Sequence, residues 1–520
     1  MLDSLSSACY ADFMIATTYS IVPDGYEGSI IEVEGDLKNG LPGFNIVGMA
    51  NKTVSEARER VKSALRSSGF TFPDKKLTVN LAPADQEKDG TYLDVPIALN
   101  ILILTEQLNP IDMNGAASVG ELSLDGRIKE VRGIVNIAET AKKNGIKTLF
   151  VPIGNYLQAS LVKGLNIKCA KTLTDLYLYL KGQTPLEAPL SSKPAATPPG
   201  TDLNFSQIYG QTLAKRALEI AVAGHHNILL SGPPGTGKTM LAKAALNLLP
   251  PLNPEEQVSV TKINSLSGMT SDVVTKRPFR TPHHTSSLPA LIGGGPKAMP
   301  GDISLAHLGV LFLDELPEYP RQILEALRQP LEDRQISLSR AKRRVTYPAD
   351  FMLIATMNPC PCGYLGDPAH PCTCTMTQIQ AYQKKLSGPF LDRIDLFVNV
   401  DRIDAPKLLN KSFNHYNVEA ARSSISRAIA TQHTRFRDQT IYNASITTPR
   451  IIQDIPLGPK EQAFLNTAAN SLDLSARSYF KIIKVARTIA DLDSSPDIKQ
   501  SHLAEALTFR KIPLEKTSTF

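Results

Sequence analysis

Apolar positions along this chain fall into three regimes. Up to residue 182, short apolar runs mix with stretches of helical period. Residues 76–81 (KLTVNL) and 148–152 (TLFVP) predict short buried strands, and Val54, Ala57, Val61 and Leu65 form one face of a helix over 54–67. From 202 to 405, a helix over 213–222 is followed by apolar runs that each end at polar residues. Residues 227–231 run into a glycine turn, 310–313 into two acids, and 351–355 towards Asn358. Strands alternating with helices predict a parallel sheet covered on both faces. From 406 to 520 the pattern is mainly helical. Residues 183–201 hold five prolines and no apolar period, as a linker does. The expected organisation is therefore an α/β multidomain chain: a front domain 1–182, a linker 183–201, an α/β core 202–405 and a helical domain 406–520.

Composition narrows the class. A chain of 520 residues with 42% hydrophobic and 20% charged residues is expected to be a soluble protein of several domains. Its longest apolar run, 96–104, is too short to cross a bilayer, and no secretion signal opens the chain, so the expectation is a cytoplasmic protein without membrane contact. The net charge of +6 is unevenly placed. Residues 1–201 hold 20 Lys/Arg against 22 Asp/Glu, and the remainder holds 36 against 28. A basic rear half suits a polyanionic partner but does not identify one.

The glycine turn carries the chemistry. Gly232-Pro233-Pro234-Gly235-Thr236-Gly237-Lys238-Thr239 has the spacing of a phosphate-binding loop between strand and helix. Glycines let backbone N–H groups converge on phosphate oxygens, and the helix N-terminus adds positive potential. Lys238 reaches the β/γ-phosphates of ATP, and Thr239 offers a hydroxyl to Mg²⁺. Asp314 and Glu315 end an apolar strand, where parallel sheets place their ligands. They suit holding Mg²⁺ and activating water, respectively. Asn358 sits between these groups if the strand order is that of a nucleotide motor. Hydrolysis in ring motors also draws on arginines from a neighbour, and Arg393 and Arg477 are the candidates.

These segments together carry a resemblance. GPPGTGKT, LFLDELPE (311–318), MNPCPCG (357–363), FLDRID (390–395) and LSARSYFKIIKVARTIADL (474–492) resemble the ComM/YifB group of magnesium-chelatase-like AAA+ proteins, as do 41–65 and 77–99 in the front domain. The one departure noted is Met49-Ala50-Asn51, where the group commonly has Leu-Pro-Asp. The resemblance implies a homo-hexameric ATPase that moves on single-stranded and branched DNA, including recombinase-bound DNA. It implies branch migration during homologous recombination in natural transformation, with Arg393 as finger, Arg477 as second sensor and a helical lid at the C-terminus. A chelatase-type or protein-remodelling ATPase acting on a protein partner uses the same nucleotide motifs and stays open as the alternative.

The front domain also resembles the proteolytic domain of Lon, through residues 87–90, 120–126 and 131–133. Tyr92 stands where the nucleophilic serine belongs, and Val135 is the nearest match to the lysine. Neither can do that chemistry, so a silenced protease fold is expected.

Cys360, Cys362, Cys372 and Cys374 form a CxC-x9-CxC array, and four thiolates suit a structural Zn²⁺. For DNA contact, 335–347 alternates like a hairpin with Arg340, Lys342, Arg343 and Arg344 near its tip. Arg277 and Arg280, in what reads as an irregular insertion, are a second candidate set. A solvated basic face is the competing reading of both.

Overall fold

The computed structural model describes residues 14–48, 52–84, 88, 90–189, 205–269, 272–295, 298–340, 343–402 and 416–510. Most of the linker, the 49–51 departure, Lys342 and the expected boundary at 405/406 lie outside the described residues. The chain divides into two compact units, Met1–Ala195 with Pro254–Val274, and Ala196–Asn253 with Thr275–Phe520.

In the first unit, period-two alternation builds a four-stranded sheet in the order Met14–Asp24, Glu27–Lys38, Lys76–Ala82, Gly43–Val47. The first three strands are antiparallel, and Gly43–Val47 joins Lys76–Ala82 in parallel. Ile31, Val33 and Leu37 point inward, which turns Glu32, Glu34 and Asp36 to the opposite face. Helix Asp94–Leu104 is buried along its whole length. Its Asn100 amide donates to the carbonyls of Ala16 and Val33, both at 2.9 Å, so a polar side chain ties helix to sheet. A second, parallel sheet comprises Ala116–Ser118, Thr148–Pro152 and Asn166–Ala170. The strand expected over 148–152 forms as read, and the helix expected over 54–67 runs Lys52–Ser67.

Helix Pro254–Ser267 belongs to this unit although it is threaded between segments of the other. Lys262 donates to Glu139 at 2.5 Å, and Gly133 N donates to Ser265 O at 2.9 Å. These partners lie 123 or more residues away in sequence, which is why spacing alone assigns the segment to the α/β core.

Tyr92 packs half-buried against both apolar cores of the unit, and Val135 is fully buried in helix Ile134–Lys143. Both are core residues.

The second unit holds a five-stranded sheet in the order Phe279–Arg280, Val310–Leu313, Met352–Met357, Ile228–Ser231, Leu396–Asn399, with every pair parallel. The inner strands are apolar on both faces because helices cover both. Helices Val418–Phe436, Thr448–Asp454, Pro459–Leu472, Ala476–Leu492 and Gln500–Thr508 follow, and their apolar faces share one core with the sheet. Among the described residues, no helix is long and apolar enough to cross a membrane.

Candidate active site

The loop after Ile228–Ser231 is shaped by two glycines in particular. A side chain at Gly232 would meet the Val400 carbonyl at 2.2 Å, and Gly237, at φ +86°, caps the helix Lys238–Ala245 in the left-handed region. The Lys238 ammonium lies 2.6 Å from the Gly232 carbonyl, 2.8 Å from that of Pro233 and 3.3 Å from Asn358 Oδ1. Burial lowers its pKa, against the pull of Asp314 and Glu315. Thr236 donates to the Pro233 carbonyl at 3.0 Å and braces the turn.

Sheet order brings the other groups here. The Met352–Met357 strand lies between the loop strand and Val310–Leu313, so Asn358 emerges between the phosphate loop and the acids. The Thr239 hydroxyl donates to Asp314 Oδ2 at 3.1 Å. That pairing gathers a hydroxyl and a carboxylate, the hard oxygen donors Mg²⁺ takes. Sequence reasoning missed Thr356. Its hydroxyl donates to Asp314 Oδ1 and accepts from the Glu315 backbone N–H at 3.1 Å, fixing both acids from the neighbouring strand. Glu315 itself sits at φ +51°, a conformation that costs a non-glycine residue about 1 kcal/mol and lifts its side chain out of the strand's line.

Arg393 and Arg477 lie elsewhere. The Arg393 carbonyl accepts from Asn227 at 2.9 Å, just before the loop strand begins. Five residue steps of extended chain, about 17 Å, separate Asn227 from Gly232. Arg393 therefore stands at the opposite end of the strand from the phosphate loop. Arg477, near the start of Ala476–Leu492, shares a partner with it. Glu332 accepts from Arg393 at 2.5 Å and from Arg477 at 2.8 Å.

The turn bearing Arg393 is held by Asp395. Its carboxylate accepts from Asn227 N at 3.2 Å, lies 3.4 Å from His226 Nδ1 and 3.9 Å from Lys481 Nζ. Burial pushes the Asp395 carboxyl up, but His226 and Lys481 outweigh it and hold it at about 2, below the ordinary 3.8. A depressed carboxyl stabilises the fold above its unfolded pKa and loses that contribution as pH falls through the folded value. Wild type should therefore lose roughly 2 kcal/mol relative to Asp395→Asn between about pH 5 and pH 2. Urea unfolding of both proteins checks this, and a pH-independent gap contradicts it.

The four cysteines converge. All four Sγ atoms lie within 4.8 Å of one another, with 360–362, 360–372 and 362–372 separations of 3.4, 3.7 and 3.6 Å. Tetrahedral Zn–S bonds of about 2.3 Å imply S···S near 3.8 Å, so the set fits a metal of that kind. Gly363 follows directly, and a Cβ there would meet Pro234 at 2.7 Å, placing the cysteine turn against the phosphate loop.

Gln335–Arg340 and Arg343–Pro348 pair as an antiparallel hairpin, closing at Arg340 opposite Arg343. Ile336 and Tyr347 are buried at its root, where the Tyr347 hydroxyl donates to Ala298 O at 2.8 Å, and Arg344 is exposed. Arg277 donates to the carbonyls of Pro250 and Leu308 at 2.7 and 2.8 Å, and Arg280 pairs with Asp302 at 2.5 Å from an edge strand of the sheet. Both guanidinium groups of this second basic set have partners within the chain. Their residue types alone gave no hint of those partners.

Comparison with known proteins agrees with this geometry. A family model described as magnesium chelatase, subunit ChlI, matches residues 204–408. One for subunit ChlI of Mg-chelatase matches 33–155, and one for the ChlI C-terminal part matches 416–510. The competence protein ComM of Haemophilus influenzae is 42% identical over 502 residues, 95% of this chain and 97% of that protein. The uncharacterized protein YifB of Escherichia coli is 42% identical over 493 residues, covering 94% and 95%. Lon protease 2 of Bacillus subtilis is 31% identical over 167 residues, 29% of this chain and 30% of that protein, so the Lon likeness is partial. The chain belongs to the ComM/YifB family of magnesium-chelatase-like AAA+ ATPases.

Proposed function

We propose that this protein is a ring-forming, ATP-driven DNA translocase that unwinds forks and drives branch migration during homologous recombination. The supporting observation is the split of the hydrolytic groups. Lys238, Thr239, Asp314, Glu315 and Asn358 gather at one end of the sheet, while Arg393 stands at the other, beyond reach of the same phosphates. An arginine so placed serves a second copy, which calls for a closed assembly, a homo-hexamer in this reading. The competence role named for the Haemophilus relative fits DNA taken up in natural transformation.

In this reading the loop amides and Lys238 cradle the β- and γ-phosphates. Thr239 and Asp314 would hold Mg²⁺, which would supply charge neutralisation to the phosphates. Glu315 takes a proton from the attacking water, and Asn358 orients that water or the γ-phosphate. Arg393 and Arg477 of the adjacent copy meet the charge that spreads over the phosphoryl oxygens. The strand is held by hairpin residues Arg340, Lys342, Arg343 and Arg344, which track phosphates without reading bases, so binding weakens steeply with salt.

The cysteine set holds structural Zn²⁺, bracing the turn beside the phosphate loop. Elemental analysis should find about one zinc per chain, lost in Cys362→Ser with Cys374→Ser. A zinc-free protein with full nucleotide affinity contradicts this role.

ATPase turnover measured with and without single-stranded or forked DNA tests the function. The reading expects stimulation that fades with salt. Turnover indifferent to DNA yet raised by a protein partner transfers the case to a chelatase-type remodelling ATPase.

A further inference from the structure

One carboxylate holds both arginines assigned to the neighbour's nucleotide. Glu332 Oε2 accepts from Arg393 at 2.5 Å and Oε1 from Arg477 at 2.8 Å. The Arg393 side chain is 11% exposed, whereas those of Glu332 and Arg477 are 51% and 43% exposed, so the cradle opens to solvent on the Arg477 side. Arg393 also donates to the Pro389 carbonyl at 2.6 Å, while its buried Nε finds no hydrogen-bond partner among the described residues. The guanidinium is thus positioned but not saturated. Two cations on one carboxylate leave a net positive charge, which a γ-phosphate is equipped to take over.

Glu332 is also placed to report that exchange. It lies on helix Arg328–Asp333, three residues before the hairpin strand Gln335–Arg340 begins. Between them, Arg334 sits at φ +55° and is paired with Asp350, fastening the residue just before the hairpin to the segment that leads into the Met352–Met357 strand. One residue, Arg334, therefore links the helix end that carries Glu332 to the hairpin root.

We propose that Glu332 is a positioning residue that parks Arg393 and Arg477 together, yields them to the adjacent copy's γ-phosphate, and by that release shifts the root of the basic hairpin. This rests on the translocase reading above. It assigns Glu332 the coupling between DNA engagement and hydrolysis. DNA pulling on the hairpin weakens the cradle and frees the arginines, and nucleotide capture of the arginines moves the hairpin in return, as linkage requires.

The test compares the full chain with Glu332→Gln and Glu332→Asp, measuring kcat and KM for ATP with and without single-stranded DNA, alongside thermal midpoints. Glutamine keeps the shape and removes the charge. It should raise DNA-free kcat roughly fivefold, a coupling of ordinary size, and bring the DNA stimulation ratio close to one. Aspartate keeps the charge and should retain most of the stimulation, a rescue that a purely structural role does not predict. A Glu332→Gln protein with the wild-type ratio overturns the proposal, as does parallel loss of both rates together with thermal stability. Wild-type protein inert towards ATP contradicts the translocase reading itself, whereas active wild type with an indifferent Glu332→Gln contradicts the clamp alone.

Discussion

Glu315→Gln should bind ATP with near wild-type affinity and lose hydrolysis by roughly a hundredfold to a thousandfold. Glutamine fills the same volume but accepts no proton from water. The binding groups, Lys238 and the loop amides, do not depend on the Glu315 charge. Thr356 grips the Glu315 backbone N–H and not its carboxylate, so the substituted residue keeps its place at φ +51°. Accumulated ATP at the interfaces should then favour the assembled ring, visible as a larger species in sedimentation with ATP. Lys238→Ala is the contrasting change, because removing the ammonium abolishes nucleotide binding itself. A Glu315→Gln protein that turns over ATP at the wild-type rate removes the water-activating role from this residue.

Mixing two inactive proteins yields the second large effect. Arg393→Ala keeps an intact phosphate loop but offers no finger, and Lys238→Ala keeps the finger but binds no ATP. If the finger acts between copies, random mixing leaves up to about a quarter of interfaces with both groups, and activity returns to that order. The direction follows from the fold, since Arg393 is tied to Asn227 at the far end of the strand that leads to Gly232. No recovery at any mixing ratio, with mixed assemblies verified, places the finger within its own subunit.

Much of this was legible in the residues. The phosphate loop, Asp314–Glu315 and Asn358 follow apolar strands, and strand ends in a parallel sheet converge, so local spacing carried enough information. The strand expected over 310–313 forms over those four residues, and the hairpin read over 335–347 has strands at 335–340 and 343–348. What spacing left out is what depends on register or on distant partners. Thr356 faces Asp314 only because Leu313 pairs with Ala355, a register no local pattern specifies. Arg277 and Arg280 read as free basic residues until Leu308, Pro250 and Asp302 are folded against them. Glu332 looks like any surface acid on a short helix, and only tertiary packing sets two arginines on it. Helix Pro254–Ser267 has the same character: its apolar residues Val260, Ile263 and Leu266 announce burial but not against which unit.

The most direct measurement is strand exchange on a labelled four-way or forked DNA junction, followed by gel with the purified protein, Mg²⁺ and ATP. The account predicts displacement of the labelled strand that requires hydrolysable ATP and vanishes in both Lys238→Ala and Glu315→Gln. A protein that hydrolyses ATP in its assembled state yet leaves every junction in place contradicts it.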